Sequence, residues 1–122
     1  MLIIKYNKYF LYQIKLPIIE DLTPQEFQQS IEDEGNILID VREKSEFDLC
    51  KINGAINMPM SSITETFSDL DLSLSYSLYC HHGMRSMQVA NFLLSKGFQS
   101  LYNLRGGIDA WSREVDNAIE RY

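Results

Sequence analysis

The pattern of apolar and polar positions becomes readable at Leu22 and changes period several times along the chain. Thr23-Pro24-Gln25-Glu26 supplies a capping hydroxyl, a proline for the first helical position and a glutamate three residues after the cap, which together mark a helix start. Phe27 and Ile31 share one face of that helix, and Gly35 closes it. Ile37-Leu38-Ile39-Asp40-Val41 is apolar on both faces until its acid, the pattern of a short parallel strand buried on two sides, ending near Arg42. Glu43 to Leu49 suits a short helix, and Gly54-Ala55-Ile56-Asn57 a brief strand stopped by Pro59. Ser62-Ile63-Thr64-Glu65 repeats the capping-box signal and predicts a helix in the early sixties. Leu70, Leu72, Leu74, Tyr76 and Leu78 then recur at period two, which alone describes one long half-buried strand. Ordered strand is expected from Ser75 to Tyr79, with the earlier part a connection or a helix tail.

Met87, Ala90, Leu93 and Leu94 fit one helical face, with Lys96 near the C-terminal dipole and Gly97 as the stop. Ser100 to Leu104 is the next strand, Arg105-Gly106-Gly107 a sharp turn, and a last helix carries Ile108 and Trp111, the latter read as core. Strands alternating with helices at this spacing predict an α/β domain with a mainly parallel sheet and helices on both faces. Ligands of such sheets bind beyond the carboxyl ends of the strands, and Cys80 falls at the end of one.

The chemistry therefore concentrates in Leu78-Tyr79-Cys80-His81-His82-Gly83-Met84-Arg85-Ser86. A strand runs into a cysteine, a short polar turn with a glycine follows, and a helix starts behind it. A tight loop entering a helix N-terminus turns backbone N–H groups inward, where unsatisfied donors and the helix dipole favour negative charge. A thiol there, with Arg85 nearby, is expected to be held as the reactive thiolate. The dull reading of Cys80 is a buried apolar cysteine, and the polar glycine loop argues against it. Arg85 has two roles open to it, steering an anionic donor or pairing with an acid such as Asp40 or Glu46. His81 and His82 read as exposed loop residues; adjacent histidines seldom converge on one ion, so no metal is expected.

Charge and size narrow the classes. The chain has 122 residues and a net charge of −6, which excludes the basic surface of a nucleic-acid binder. Its two cysteines, Cys50 and Cys80, are too few for a disulfide framework and suit a reducing compartment, so a cytoplasmic location is expected. Residues 1–16 interleave Lys5, Lys8 and Lys15 with aromatic and aliphatic residues, and form an apolar, basic arm ahead of a single domain over 17–122. The arm has no signal-peptide pattern and no run long enough to span a bilayer. It is expected to pack on the domain or on a second copy in a homodimer, with peripheral membrane contact the alternative.

Leu38-Ile39-Asp40-Val41-Arg42 with Glu46-Phe47, then Ile52 to Pro59, then Cys80 to Ser86, then Leu104 to Trp111 resemble the signature blocks of a single rhodanese domain. The resemblance implies a rhodanese-like three-layer domain with a five-stranded sheet, and sulfurtransferase chemistry without a metal or organic cofactor. It makes Cys80 the nucleophile that takes sulfur from thiosulfate or a persulfide, holds it as a persulfide and passes it to a thiol, cyanide or another protein. His81, His82, Gly83, Met84, Arg85 and Ser86 would bind the small anionic donor, with Asp40 and Arg42 supporting the loop.

One departure is Cys50-Lys51 ahead of Ile52, where similar domains commonly have glycine-histidine. Since this block starts the next strand, Cys50 is expected at the end of the sheet opposite Cys80, making a disulfide between them the minor alternative. Two other function classes stand beside sulfur transfer. A cysteine phosphatase would need a loop one residue longer than His81 to Met84, and a non-catalytic rhodanese binding module usually lacks the cysteine present here, whereas a sulfur-carrier role stays open beside the enzyme.

Overall fold

In the computed structural model, which describes residues 17–122, five parallel strands form one sheet. They are β1 (Ile18–Leu22), β2 (Asn36–Asp40), β3 (Ile56–Asn57), β4 (Ser75–Tyr79) and β5 (Ser100–Leu104), in the spatial order β1-β5-β4-β2-β3. The helices are α1 (Pro24–Glu32), α2 (Lys44–Leu49), α3 (Ile63–Thr66), α4 (Met84–Ser95) and α5 (Gly107–Glu114). The arm of residues 1–16, with the packing and dimer roles expected of it, lies outside the described residues. β4 is the central strand, so Cys80 leaves the sheet with a neighbour on each side.

Successive strand residues face opposite layers and build two cores. Ile39 and Leu78 join Val89, Ala90 and Leu93 of α4 in one, whereas Leu38 and Tyr79 join Phe27 of α1 and Ile108 and Trp111 of α5 in the other. Each such side chain contributes about 1.5–3 kcal/mol by leaving water. The buried face of α4 runs through Ser86, Val89, Ala90 and Leu93, so Met87, expected in the core, is displaced from it. α1 starts as its sequence dictates: Glu26 N–H donates to Thr23 Oγ1 at 3.3 Å, and Thr23 N–H to Glu26 Oε1 at 2.9 Å.

Three elements differ from expectation for local reasons. β1 gave no signal, because Glu20 and Asp21 interrupt its apolar run; it is an edge strand, where such acids are tolerated. The early sixties hold two 3-10 turns around the four-residue α3 in place of a capped helix. Ser62 Oγ donates to Pro59 O at 3.3 Å and makes no cap. The leucines before Ser75 form the expected connection, since Asp71 Oδ1 accepts from both Ser73 N–H and Ser73 Oγ and folds the chain there. Finally, β3 is only two residues long and pairs Ile56 with Ile39 and Asn57 with Asp40, at the carboxyl end of β2.

Candidate functional site

β4 delivers Cys80 to the carboxyl edge of the sheet, and Gly83, at φ +104°, turns the chain into the twelve-residue α4. Only glycine fits there: a Cβ would stand 3.2 Å from Leu104 O and 3.3 Å from Gly106 N on a backbone that side chains avoid. The turn brings Gly83 N–H to 3.1 Å and Ser86 Oγ to 3.3 Å from Cys80 Sγ, both as donors. The sulfur thus lies at the N-terminus of a long helix with two hydrogen bonds directed at it, an arrangement that stabilises negative charge on it. Behind it, Ile108 N–H donates to Cys80 O at 2.9 Å and Asp109 N–H to His81 O at 3.1 Å. Gly107 makes that contact feasible, because its Cβ would collide with Cys80 O at 2.6 Å and with the His81 carbonyl.

Cys80 is closed off, at 1 % exposure, although its loop was expected to bind a small anionic donor. Gly83 supplies the loop amide on its sulfur, and the second donor is a hydroxyl rather than further amides. The other residues of the loop turn elsewhere. Met84 and His82 point into solvent. Arg85 makes a two-pronged ion pair with Glu46, at 2.7 and 2.9 Å, which selects the acid-pairing role among those open to it and names Glu46 over Asp40. This bonding, with the Tyr122 hydroxyl as a lesser contributor, holds the Glu46 carboxyl down at about 2.

Tyr122 is the residue that sequence reasoning missed. Its hydroxyl accepts from Arg42 Nη1 at 2.8 Å and donates to Glu46 Oε2 at 2.6 Å, and its ring stacks on His81 with centroids 3.9 Å apart and planes 6° from parallel. Burial, then the neighbouring Glu46 carboxylate, pushes its phenol up to about 12. His81 is accordingly half-buried between Tyr122 and His82, and burial together with His82 lowers its pKa. Asp40 pairs with Arg42 at 2.6 Å, both fully buried, and the two reach the loop by way of Tyr122 and Glu46. Burial alone would lower the Arg42 pKa, but bonds to Asp40 and Tyr122 outweigh it and keep the guanidinium charged.

Cys50 is not at the opposite end of the sheet. It caps α2 beside Arg42, whose Nη2 donates to Cys50 O at 2.6 Å and whose Nη1 lies 3.9 Å from Cys50 Sγ. The short β3 explains the correction: pairing only with the end of β2, it lets its leading segment return past Arg42. Both thiols are free. α5 also brings Asp109 beside His81 and His82, with ligand atoms all within 4.8 Å of one another, a grouping the sequence did not reveal. Its carboxylate is engaged by Arg121 at 3.0 Å and Arg113 at 3.4 Å, and the two histidine rings lie against each other with centroids 3.9 Å apart.

The family model for the rhodanese-like domain matches residues 23–114. A chloroplastic rhodanese-like/PpiC domain-containing protein 12 of Arabidopsis thaliana is 35% identical over 112 residues; the match takes in 85% of this chain but 38% of that longer protein. A thiosulfate sulfurtransferase GlpE of Pseudomonas fluorescens is 31% identical over 88 residues, covering 72% of this chain and 81% of the relative. Among solved structures, a rhodanese-related protein from Thermoplasma volcanium superposes with a TM-score of 0.71 at 28% identity, covering 79% of this chain and 93% of the other. The fold, the cysteine at the carboxyl edge of its central strand and these matches converge: the chain belongs to the rhodanese-like domain family.

Proposed function

We propose that the protein is a sulfurtransferase that carries a sulfane sulfur on Cys80. The observation that bears most weight is the convergence of Gly83 N–H and Ser86 O–H on Cys80 Sγ at the start of α4. In the first half-reaction the Cys80 thiolate attacks the outer sulfur of thiosulfate. The new S–S bond forms as the old one breaks, sulfite leaves with the bonding pair, and Cys80 holds a persulfide anion. In the second, an acceptor such as cyanide takes the outer sulfur and returns the Cys80 thiolate. Charge balances in both halves, and no external oxidant or reductant enters. The same two donors that hold the thiolate stabilise it as leaving group in the second half. A relative named thiosulfate sulfurtransferase supports the reading at the level of the family.

Since Cys80 is 1 % exposed, donor access requires the rim to move, and the Arg85–Glu46–Tyr122 contacts are the polar links that the movement breaks. Released from Glu46, the Arg85 guanidinium is free to bind an anionic donor. Two free thiols suit a reducing compartment, and we place the protein in the cytoplasm. No helix among the described residues is long and apolar enough to cross a membrane. Incubation with thiosulfate is expected to add the mass of one sulfur atom, removed by cyanide. Failure to gain that mass on Cys80 overturns the proposal.

A further inference from the structure

The Ser86 hydroxyl has one proton and two acceptors within reach. Its Oγ lies 3.3 Å from Cys80 Sγ and 3.3 Å from Gly83 O, and Ser86 is fully buried, out of reach of bulk water. Distance does not choose between the two. Whether the sulfur receives this donor depends on what else bonds Gly83 O.

Two other donors do. Met87 N–H reaches Gly83 O at 3.2 Å as the first turn of α4 forms, and Asn103 Nδ2 reaches it at 3.3 Å from the carboxyl end of β5. A carbonyl oxygen has two lone pairs, and these two N–H groups match both. Asn103 is held to this task. Its Nδ2 spends the other N–H on Asp21 Oδ1 at 3.0 Å, and Asp21 is gripped in turn by Arg105, whose Nε donates to Asp21 Oδ2 at 3.1 Å and whose Nη2 donates to Asp21 O at 3.0 Å. Turning the amide over would set its oxygen against a carboxylate and a carbonyl, so the orientation is fixed.

That orientation is not free. Asn103 is 2 % exposed, and its Oδ1 has no hydrogen-bond partner among the described residues. An unpaired buried carbonyl is destabilising, and an apolar side chain of similar size would avoid it. Asp21 already has Arg105, so the acceptor for which the Asn103 amide nitrogen matters is Gly83 O. We propose that Asn103 is a positioning residue of the sulfur site: by matching the second lone pair of Gly83 O, it leaves the Ser86 proton to Cys80 Sγ. Without it, Gly83 O competes for that proton, and a hydroxyl turned to the carbonyl presents lone pairs to the sulfur. Those lone pairs oppose the negative charge that Cys80 carries before it attacks and again when it leaves. The inference deepens the sulfurtransferase reading and rests on it.

The test follows thiosulfate loading of the full chain by intact mass against time in Asn103→Leu, Ser86→Ala and the double variant. Asn103→Leu is expected to lower the rate at saturating thiosulfate about threefold, the loss of one weak net hydrogen bond, with the half-saturating thiosulfate concentration changed less than about twofold. In the double variant the loss stays about threefold, because the same proton is removed only once. A full rate in Asn103→Leu, a rise in the half-saturating concentration in place of the rate loss, or losses that multiply to about ninefold in the double variant overturns the proposal. Asn103→Ala, which removes the same donor with less bulk, replaces the leucine variant if that chain does not fold, and carries the same expectations. Alkylation by iodoacetamide, followed at the Cys80 peptide, separates this inference from the function beneath it. A parent that takes up no sulfur overturns the sulfurtransferase reading, yet its alkylation still reads the Ser86 proton: slower in Asn103→Leu and no slower in the double variant supports the role of Asn103, and an unchanged rate counts against that role alone.

Discussion

The two cysteines of this chain are a natural contrast. Cys80 is almost fully buried at the end of the central strand, yet receives a backbone N–H and a hydroxyl on its sulfur. Cys50 is more accessible, but α2 has just ended there, and its sulfur meets one guanidinium nitrogen at 3.9 Å while its carbonyl takes the strong bond at 2.6 Å. Exposure ranks the pair one way and directed donors rank it the other. For a reaction that needs a stabilised thiolate, the donors decide, because they act on the charged sulfur in the ground state and again when it leaves.

The sharpest way to break this contrast is to exchange the roles. Cys80→Ser is expected to abolish the cyanide-removable sulfur seen by intact mass, whereas Cys50→Ser retains it; loading that survives Cys80→Ser and disappears with Cys50→Ser would invert the ranking. The supports of the two thiols should differ next. Gly107→Ala drives a methyl into the carbonyls behind Cys80 and is expected to cost about 2–4 kcal/mol in chemical denaturation. Gly54→Ala, near Cys50 in sequence and with open space around its Cβ, should cost about 1 kcal/mol, the backbone penalty alone. Smaller again is Ser86→Ala, which removes one donor from the sulfur. It is expected to slow sulfur loading about threefold in a stopped assay, the loss of one weak net hydrogen bond of about 0.7 kcal/mol.

The smallest effect is electrostatic. Glu46 titrates at about 2 in the folded protein against an ordinary 4.5, so as pH falls the unfolded chain takes up its proton first. The contribution of the Glu46–Arg85 pair is therefore complete above about 4.5 and lost as pH falls through about 2. Urea midpoints across that window should decline in the parent and flatten in Glu46→Gln. Equal slopes would show that the pair adds nothing to stability.

Legibility followed locality. α1, β4 and β5 were readable because their signals are contiguous: a capping box, an apolar strand, a glycine turn. Cys80 was readable for the same reason, since strand, thiol, loop and helix follow one another without a gap. Tyr122 was not, because it reaches Arg42 across 80 residues of sequence and nothing in its neighbourhood marks it. The orphaned oxygen of Asn103 is equally silent, being defined by two acceptors that happen to claim its amide nitrogen. Cys50 was misplaced because its block was taken to open the next strand, whereas Cys50 ends α2 and β3 begins only at Ile56.

The amides of Ile108 and Asp109, bonded to the Cys80 and His81 carbonyls, rivet the rear of the sulfur cradle to the first turn of α5. With no Cβ on Gly107 to hold the two apart, that seam has no slack to give. Breathing is thereby confined to the front, where side chains rather than main chain make the closure. Under the proposed function, a sulfur atom carried on Cys80 would leave by that front and not through the seam behind it.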